Sequence, residues 1–262
     1  MPFQFSESHI EQYHTQGYAV FRKIVPPSLL QDLRRTLPRV RELVRKGGGL
    51  RLQPLIKADI NHKPYHDWMN LPALNDALNR TLSPRHRLAG GDLSRTGILL
   101  EPVDHPWCTQ WHRDIGEKSA GVDPVDFRKV SRDPYFFNQV NSPVFQDGSF
   151  WFVPGSGTRD DMPGEKEAAG LQPSWVTEFP EHVMDEERER HCLDYCGNMP
   201  GAIRVMMDAG DFCIYNPIGW HLGNYLPYKP RMTLHDWAPS PELIEWYARM
   251  VKNQKAAGGV KS

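Results

Sequence analysis

Cysteine is scarce in this 262-residue chain: there are four, and no pair has the Cys-x-x-Cys spacing of a zinc knuckle or a dithiol centre. A disulfide-stapled scaffold is therefore excluded. No apolar run approaches the roughly 20 residues that a membrane span needs. Charge of one sign is lacking as well, since Lys+Arg 31 against Asp+Glu 32 gives a formal charge of -1. No global field exists to attract nucleic acid or an anionic membrane surface. The opening Met1 to Glu7 has neither a basic stretch nor an apolar core, so the expectation is an unexported, cytoplasmic protein with a small-molecule partner. Gly-x-Ser-x-Gly elbows and Walker loops are missing too. Val153-Pro154-Gly155-Ser156-Gly157 has no following Lys and reads as a strand-ending turn.

What is abundant is proline, with 23 residues or about 9% against an average near 5%. Proline disfavours helix interiors and central strands, so many short elements joined by ordered loops are expected. Eight Trp and eleven His suit binding sites better than plain cores.

The pattern places helices at both ends of a β core. Ser8 with Glu11 reads as a capping box for a first helix ending at Gly17, followed by a strand over 18–25. Leu30, Leu33, Leu37, Val40 and Val44 form an apolar helical stripe that stops at Gly47-Gly48-Gly49, and a weaker helix surrounds Trp68 to Leu78. From about residue 95, short β-rich runs are predicted over 96–101, 109–112, 135–141, 149–153, 202–205, 211–215 and 231–237. They lack intervening long helices, which indicates a sandwich or barrel and not a βαβ fold. A single domain follows, with a mostly helical part over 1–94, a β core over 95–238 interrupted by a charged insertion or lid at 158–200, and a helix over 240–254.

The chemistry concentrates in Gln110-Trp111-His112-Arg113-Asp114. On a strand, His112 and Asp114 would point to the same side and offer an imidazole nitrogen and a carboxylate oxygen together. Such a pair is half of an iron facial triad, although a surface His beside a turn Asp gives the same pattern. His221 follows a strand in a Gly-rich, aromatic setting, and Arg231 lies ten residues further (231 - 221), where a guanidinium can hold a carboxylate bidentately. Cys192 and Cys196 beside His191 offer a competing metal site, but no second ligand pair follows them. His9, His14, His62, His66, His105, His182 and His191 read as surface residues, while His235 alternates with Arg231 towards the inner face. The charged loop over 115–134, with Arg113, Lys118, Arg128, Lys129 and Arg132 nearby, is the expected place for substrate selection.

These motifs, taken in order, resemble the phytanoyl-CoA dioxygenase family of non-haem iron, 2-oxoglutarate-dependent oxygenases over most of the chain. The carriers are Gln16 to Phe21 with Val25-Pro26-Pro27, Trp111 to Asp114, Asp147-Gly148 through Ser156, and His221 with Arg231. The resemblance implies a mainly β fold with flanking helices, built on a double-stranded β-helix (jelly roll, cupin-like) core. It implies Fe(II) bound by His112, Asp114 and His221, and 2-oxoglutarate gripped by Arg231 with help from Thr233. Gln139 and Asn141 match polar positions of some relatives that reach cosubstrate or substrate, although satisfied core amides give the same pattern. The implied reaction consumes O2, releases succinate and CO2, and hydroxylates a small molecule; the retained Asp114 argues against halogenation. Desaturation, ring closure and epimerisation begin with the same hydrogen abstraction. Two positions depart from the family: Gly157 replaces a usual His, and Gly223 replaces a Ser that many relatives use as a second contact to the distal carboxylate. A non-catalytic jelly-roll binding protein and a cupin-like hydrolase or isomerase remain as competing readings.

Overall fold

The computed structural model describes residues 3–173 and 184–256. The helices are α1 (Glu7–Gln16), α2 (Pro27–Lys46), α3 (Lys63–Met69), α4 (Pro72–Thr81), α5 (Pro124–Val130), α6 (Glu165–Gly170), α7 (Asp185–Gly197) and α8 (Pro241–Ala256). The strands are β1 (Tyr18–Phe21), β2 (Arg51–Leu52), β3 (Gly97–Leu100), β4 (Trp107–Cys108), β5 (Gln139–Pro143), β6 (Phe150–Phe152), β7 (Ile203–Arg204), β8 (Phe212–Tyr215), β9 (His221–Tyr225) and β10 (Met232–Asp236).

The strands form two antiparallel sheets, a six-stranded one in the order β1-β8-β5-β10-β3-β2 and a four-stranded one in the order β4-β9-β6-β7. Alternation along the large sheet decides what each face does. Ile98, Leu100, Val140, Phe212, Ile214, Met232 and Leu234 face outward and pack with Leu33, Leu37, Val40, Trp68, Leu74 and Leu78 of α2, α3 and α4 in one apolar core. The alternate positions face the small sheet, and there Val20, Cys213 and Tyr215 meet Phe150, Phe152, Val205 and Met207.

Several local expectations shift. α1 is capped at Ser6, whose backbone N–H donates to His9 Nδ1 at 3.1 Å, so the box is Ser6–His9 and not Ser8–Glu11. Gly17 closes the helix at φ +75, a left-handed value that glycine adopts without steric penalty. α2 runs straight through Pro38, because its buried stripe of leucines and valines outweighs one missing N–H donor. β1 stops at Phe21, four residues short of the expected end. Inside the supposed insertion, α7 buries Cys192, Tyr195 and Cys196 against Cys108, Trp111 and Leu222 of the small sheet's outer side. That part is packed structure and not a lid; 174–183 of the insertion, with His182, lie outside the described residues. No described helix is long and apolar enough to cross a membrane.

Candidate active site

β4 covers only Trp107–Cys108, two residues before the strand predicted at 109–112. Pairing resumes at an isolated bridge between His112 and His221. From Cys108↔Asn224 to that bridge, one chain advances four residues and the other three, a one-residue bulge. Asp114 sits beyond the bridge with its backbone N–H on Pro217 O at 3.0 Å. His112 and Asp114 therefore converge through a bulge and a bend, not through simple strand alternation. His221, read as following a strand in a Gly-rich, aromatic setting, opens β9, a full strand absent from the predicted runs.

Ligand-capable atoms of His112, Asp114 and His221 all lie within 4.8 Å of one another, and among the described residues this is the one group of His, Cys, Asp and Glu so arranged. Cys192, Cys196 and His191 form no such cluster. The Nε2 atoms of His112 and His221 approach Asp114 Oδ1 at 3.4 Å and 3.5 Å. Each ring's Nδ1 is engaged by a backbone carbonyl, Gln110 O at 2.7 Å and Gly219 O at 2.9 Å. A carbonyl only accepts, so both Nδ1 atoms carry the proton and both Nε2 lone pairs face the carboxylate. Three electron-rich atoms aimed at one point need a cation between them, a proton or a metal ion, and two imidazoles with one carboxylate are the donor set of a facial triad. Burial disfavours the charged form of His112, but the bond to Asp114 and that to Gln110 outweigh it and raise its pKa. Burial likewise opposes ionisation of Asp114, and the two imidazoles outweigh it, holding the carboxyl well below the usual range.

Gln139 of β5 orients this carboxylate. Its amide nitrogen donates to Asp114 Oδ2, and its amide oxygen accepts from the Tyr215 hydroxyl at 2.6 Å. Gln139, expected to reach a cosubstrate or substrate, has both ends of its amide occupied by protein. Asn141 Oδ1 accepts from His235 Nδ1 at 3.0 Å. Burial, reinforced by Arg51, pushes His235 down to about 3, so its ring is neutral.

A cavity of about 290 Å³ joins the triad to Gln139, Asn141, His235 and Arg231. Arg231 is buried, and its Nε donates to Asp147 Oδ2 at 2.9 Å. The Thr233 hydroxyl donates to the same oxygen, so its expected role beside a carboxylate is taken by one the protein supplies. Ser149 N–H donates to Asp147 Oδ1 at 2.8 Å. Burial alone would raise the Asp147 pKa, but Arg231 and these donors hold it at about 2. Asp147 was visible only as half of an Asp-Gly turn; its place under Arg231 emerges from pairing across the fold. Tyr225 is a further residue that sequence reading missed. A Cβ on Gly223 would collide with the Tyr225 hydroxyl, so the phenol fills the space a side chain at 223 would need. The Arg231 guanidinium lies 4.8 Å from the centre of that ring.

Arg113 points away from its neighbours in the triad, to Ser156 O at 3.1 Å and Asp161 at 2.6 Å. Arg128 pairs with Glu117 and Arg132 with Asp160. The three arginines among the cations expected to meet substrate are thus matched by acids, and the segment over 115–134 contains α5.

No protein-family model matches this chain, and no curated protein does. Solved structures do. HygX from Streptomyces hygroscopicus, solved with nickel, 2-oxoglutarate and hygromycin B bound, is 16% identical with a TM-score of 0.55, covering 90% of this chain and 88% of that one. SnoN from nogalamycin biosynthesis, a non-haem α-ketoglutarate-dependent epimerase, was solved with Fe3+, α-ketoglutarate and nogalamycin RO. In that complex it is 15% identical with a TM-score of 0.55, covering 89% of this chain and 83% of SnoN. AviO1 from Streptomyces viridochromogenes Tue57 is 13% identical with a TM-score of 0.55, covering 89% and 97%. At such identities the likeness is one of fold, shared with non-haem 2-oxoglutarate-dependent enzymes; no match singles out the phytanoyl-CoA dioxygenase family among them.

Proposed function

We propose that this chain is a non-haem Fe(II)/2-oxoglutarate-dependent oxygenase that hydroxylates a small molecule with release of succinate and CO2. The observation that carries the reading is the convergence of His112, Asp114 and His221 on a cavity that also contains buried Arg231. On this reading the two sheets are the halves of a double-stranded β-helix, residues 1–262 act as one domain, and the triad sits at its open end. The two imidazoles and the carboxylate are a donor set that would hold Fe(II). An iron held there would supply O2 activation coupled to oxidative decarboxylation of 2-oxoglutarate.

The protein's own groups do the rest. The Gln110 and Gly219 carbonyls hold the protons on Nδ1 of His112 and His221, which keeps both Nε2 atoms available. Gln139 turns Asp114 so that Oδ1 faces the imidazoles. Asp147 fixes Arg231 through Nε and leaves its terminal nitrogens to grip the distal carboxylate of 2-oxoglutarate, with Tyr225 on the guanidinium face.

The test is anaerobic addition of Fe(II) and 2-oxoglutarate. A weak visible charge-transfer band should form with the native protein and be absent in His112→Ala. No band, together with no succinate released in air, sinks the reading.

A further inference from the structure

The cavity does not end at the triad. Arg51, Gln139 and His235 line it on one side and on the other line a neighbouring chamber of about 200 Å³ that also contains Arg95, Trp237 and Tyr247. Arg51 comes from β2, at the edge of the large sheet, and lies across Gly97 of β3. A Cβ on Gly97 would sit 3.1 Å from Arg51 Nε, so the missing side chain is what lets the arginine lie along the sheet to the junction. Within 4.0 Å no described carboxylate pairs with Arg51, whereas Arg231 has Asp147. Burial lowers the Arg51 pKa, so its charge is held against desolvation, with Asp114 and Asp236 acting only from a distance.

Arg95 lines the same chamber. Its guanidinium stacks 4.4 Å from the Trp237 ring centre and 5.0 Å from that of Tyr247. Face stacking leaves the in-plane N–H donors of a guanidinium free to bond elsewhere. The one acid in the chamber wall, Asp236, is turned to the Thr96 hydroxyl and the Trp237 N–H, and burial raises it to about 7. Arg51 and Arg95 are both solvent-exposed and line a chamber that opens on the triad, so the chamber presents two positive charges to an incoming anion.

We infer that the side chamber receives the primary substrate, and that this substrate is a small molecule bearing an oxyanion, carboxylate or phosphate, held by Arg51 at the junction and by Arg95 in the chamber. The inference rests on the oxygenase reading only for the word substrate, since the binding itself needs no turnover. Arg231 serves the cosubstrate and Arg51 the molecule to be oxidised.

The test uses the full chain loaded with Ni(II), which does not turn over, and follows tryptophan fluorescence and calorimetric titration with benzoate, phenyl phosphate and neutral benzamide. Native protein should bind at least one anion at least about tenfold more tightly than benzamide, and which anion wins distinguishes carboxylate from phosphate. Arg51→Gln should weaken the anion about tenfold or more while 2-oxoglutarate still binds; Arg51→Lys should recover part of the loss. Arg231→Gln should do the reverse. The thermal midpoint of Arg51→Gln should hold, because no protein partner is lost. Equal binding of benzamide and the anions, unchanged anion binding in Arg51→Gln, or loss of 2-oxoglutarate from that variant each overturns the inference. Failure of the oxygenase reading would show separately, as no band and no succinate with anion binding intact.

Discussion

The six-stranded sheet presents Gln139, Asn141, Thr233 and His235 from continuous ladders, whereas the four-stranded sheet delivers His112 on a lone bridge and Asp114 on a bend. The large sheet has a thick apolar core behind it, built with α2, α3 and α4; the small one has a thinner cluster around α7. The difference teaches where rigidity comes from. Side chains on the ladders inherit their positions from the sheet, but the triad side depends on individual backbone bonds: His112 N–H to His221 O, its reciprocal, and Asp114 N–H to Pro217 O.

If that contrast is right, breaking the triad should abolish function and spare the fold. Asp114→Ala should lose bound metal and about 10³-fold or more in 2-oxoglutarate turnover, with far-ultraviolet dichroism unchanged. Metal content after gel filtration and succinate assays check it. The converse holds on the large sheet's inner face. Asp147→Ala leaves Arg231 buried without its partner, and the urea midpoint should fall by an amount worth about 3–5 kcal/mol at constant slope. The double variant Asp147→Leu/Arg231→Met should regain much of that stability while binding no 2-oxoglutarate.

The same pair predicts an acid limb. The Asp147 carboxyl is depressed in the fold to about 2, so its stabilising contribution is complete above the unfolded value near 4 and is lost as pH falls towards 2. The loss amounts to about 2 kcal/mol and should be missing from the pH profile of Asp147→Asn. A smaller effect tests the seam where the regions meet: Gly223→Ala drives a Cβ into the Tyr225 ring and should cost roughly 1–3 kcal/mol, while adding Tyr225→Leu should restore the melting temperature.

The residues that announce themselves are those whose chemistry is local. His112 and Asp114 lie two apart, His221 follows a strand, and Arg231 opens one, so type and spacing draw notice to them, and the family resemblance joins them into one set. The alternation Arg231, Thr233, His235 is equally visible; Arg231 and His235 line the cavity, while Thr233 is turned to Asp147. Partners fixed by long-range pairing are not visible: Asp147 under Arg231, Tyr225 over Gly223, and Arg51 across Gly97 depend on register between strands far apart in the chain. β2 is two residues long after a glycine run, too short to give a periodic signal, and it carries Arg51. The arginines that did draw notice, Arg113, Arg128 and Arg132, are the ones already neutralised by acids. Tryptophan likewise proved more architectural than expected, since Trp68, Trp111 and Trp246 are core residues.

One small chain of contacts has a mechanical meaning. The Tyr215 hydroxyl holds Gln139, Gln139 holds Asp114, and Asp114 faces two histidines that are directly paired across the other sheet. An ion seated among those three side chains would act as a clasp, fastening the open rim of one sheet to the other through a single coordination sphere. Stripping it with a chelator should then loosen that rim alone, so that proteases find the 107–114 segment before any part of the helix-backed half gives way.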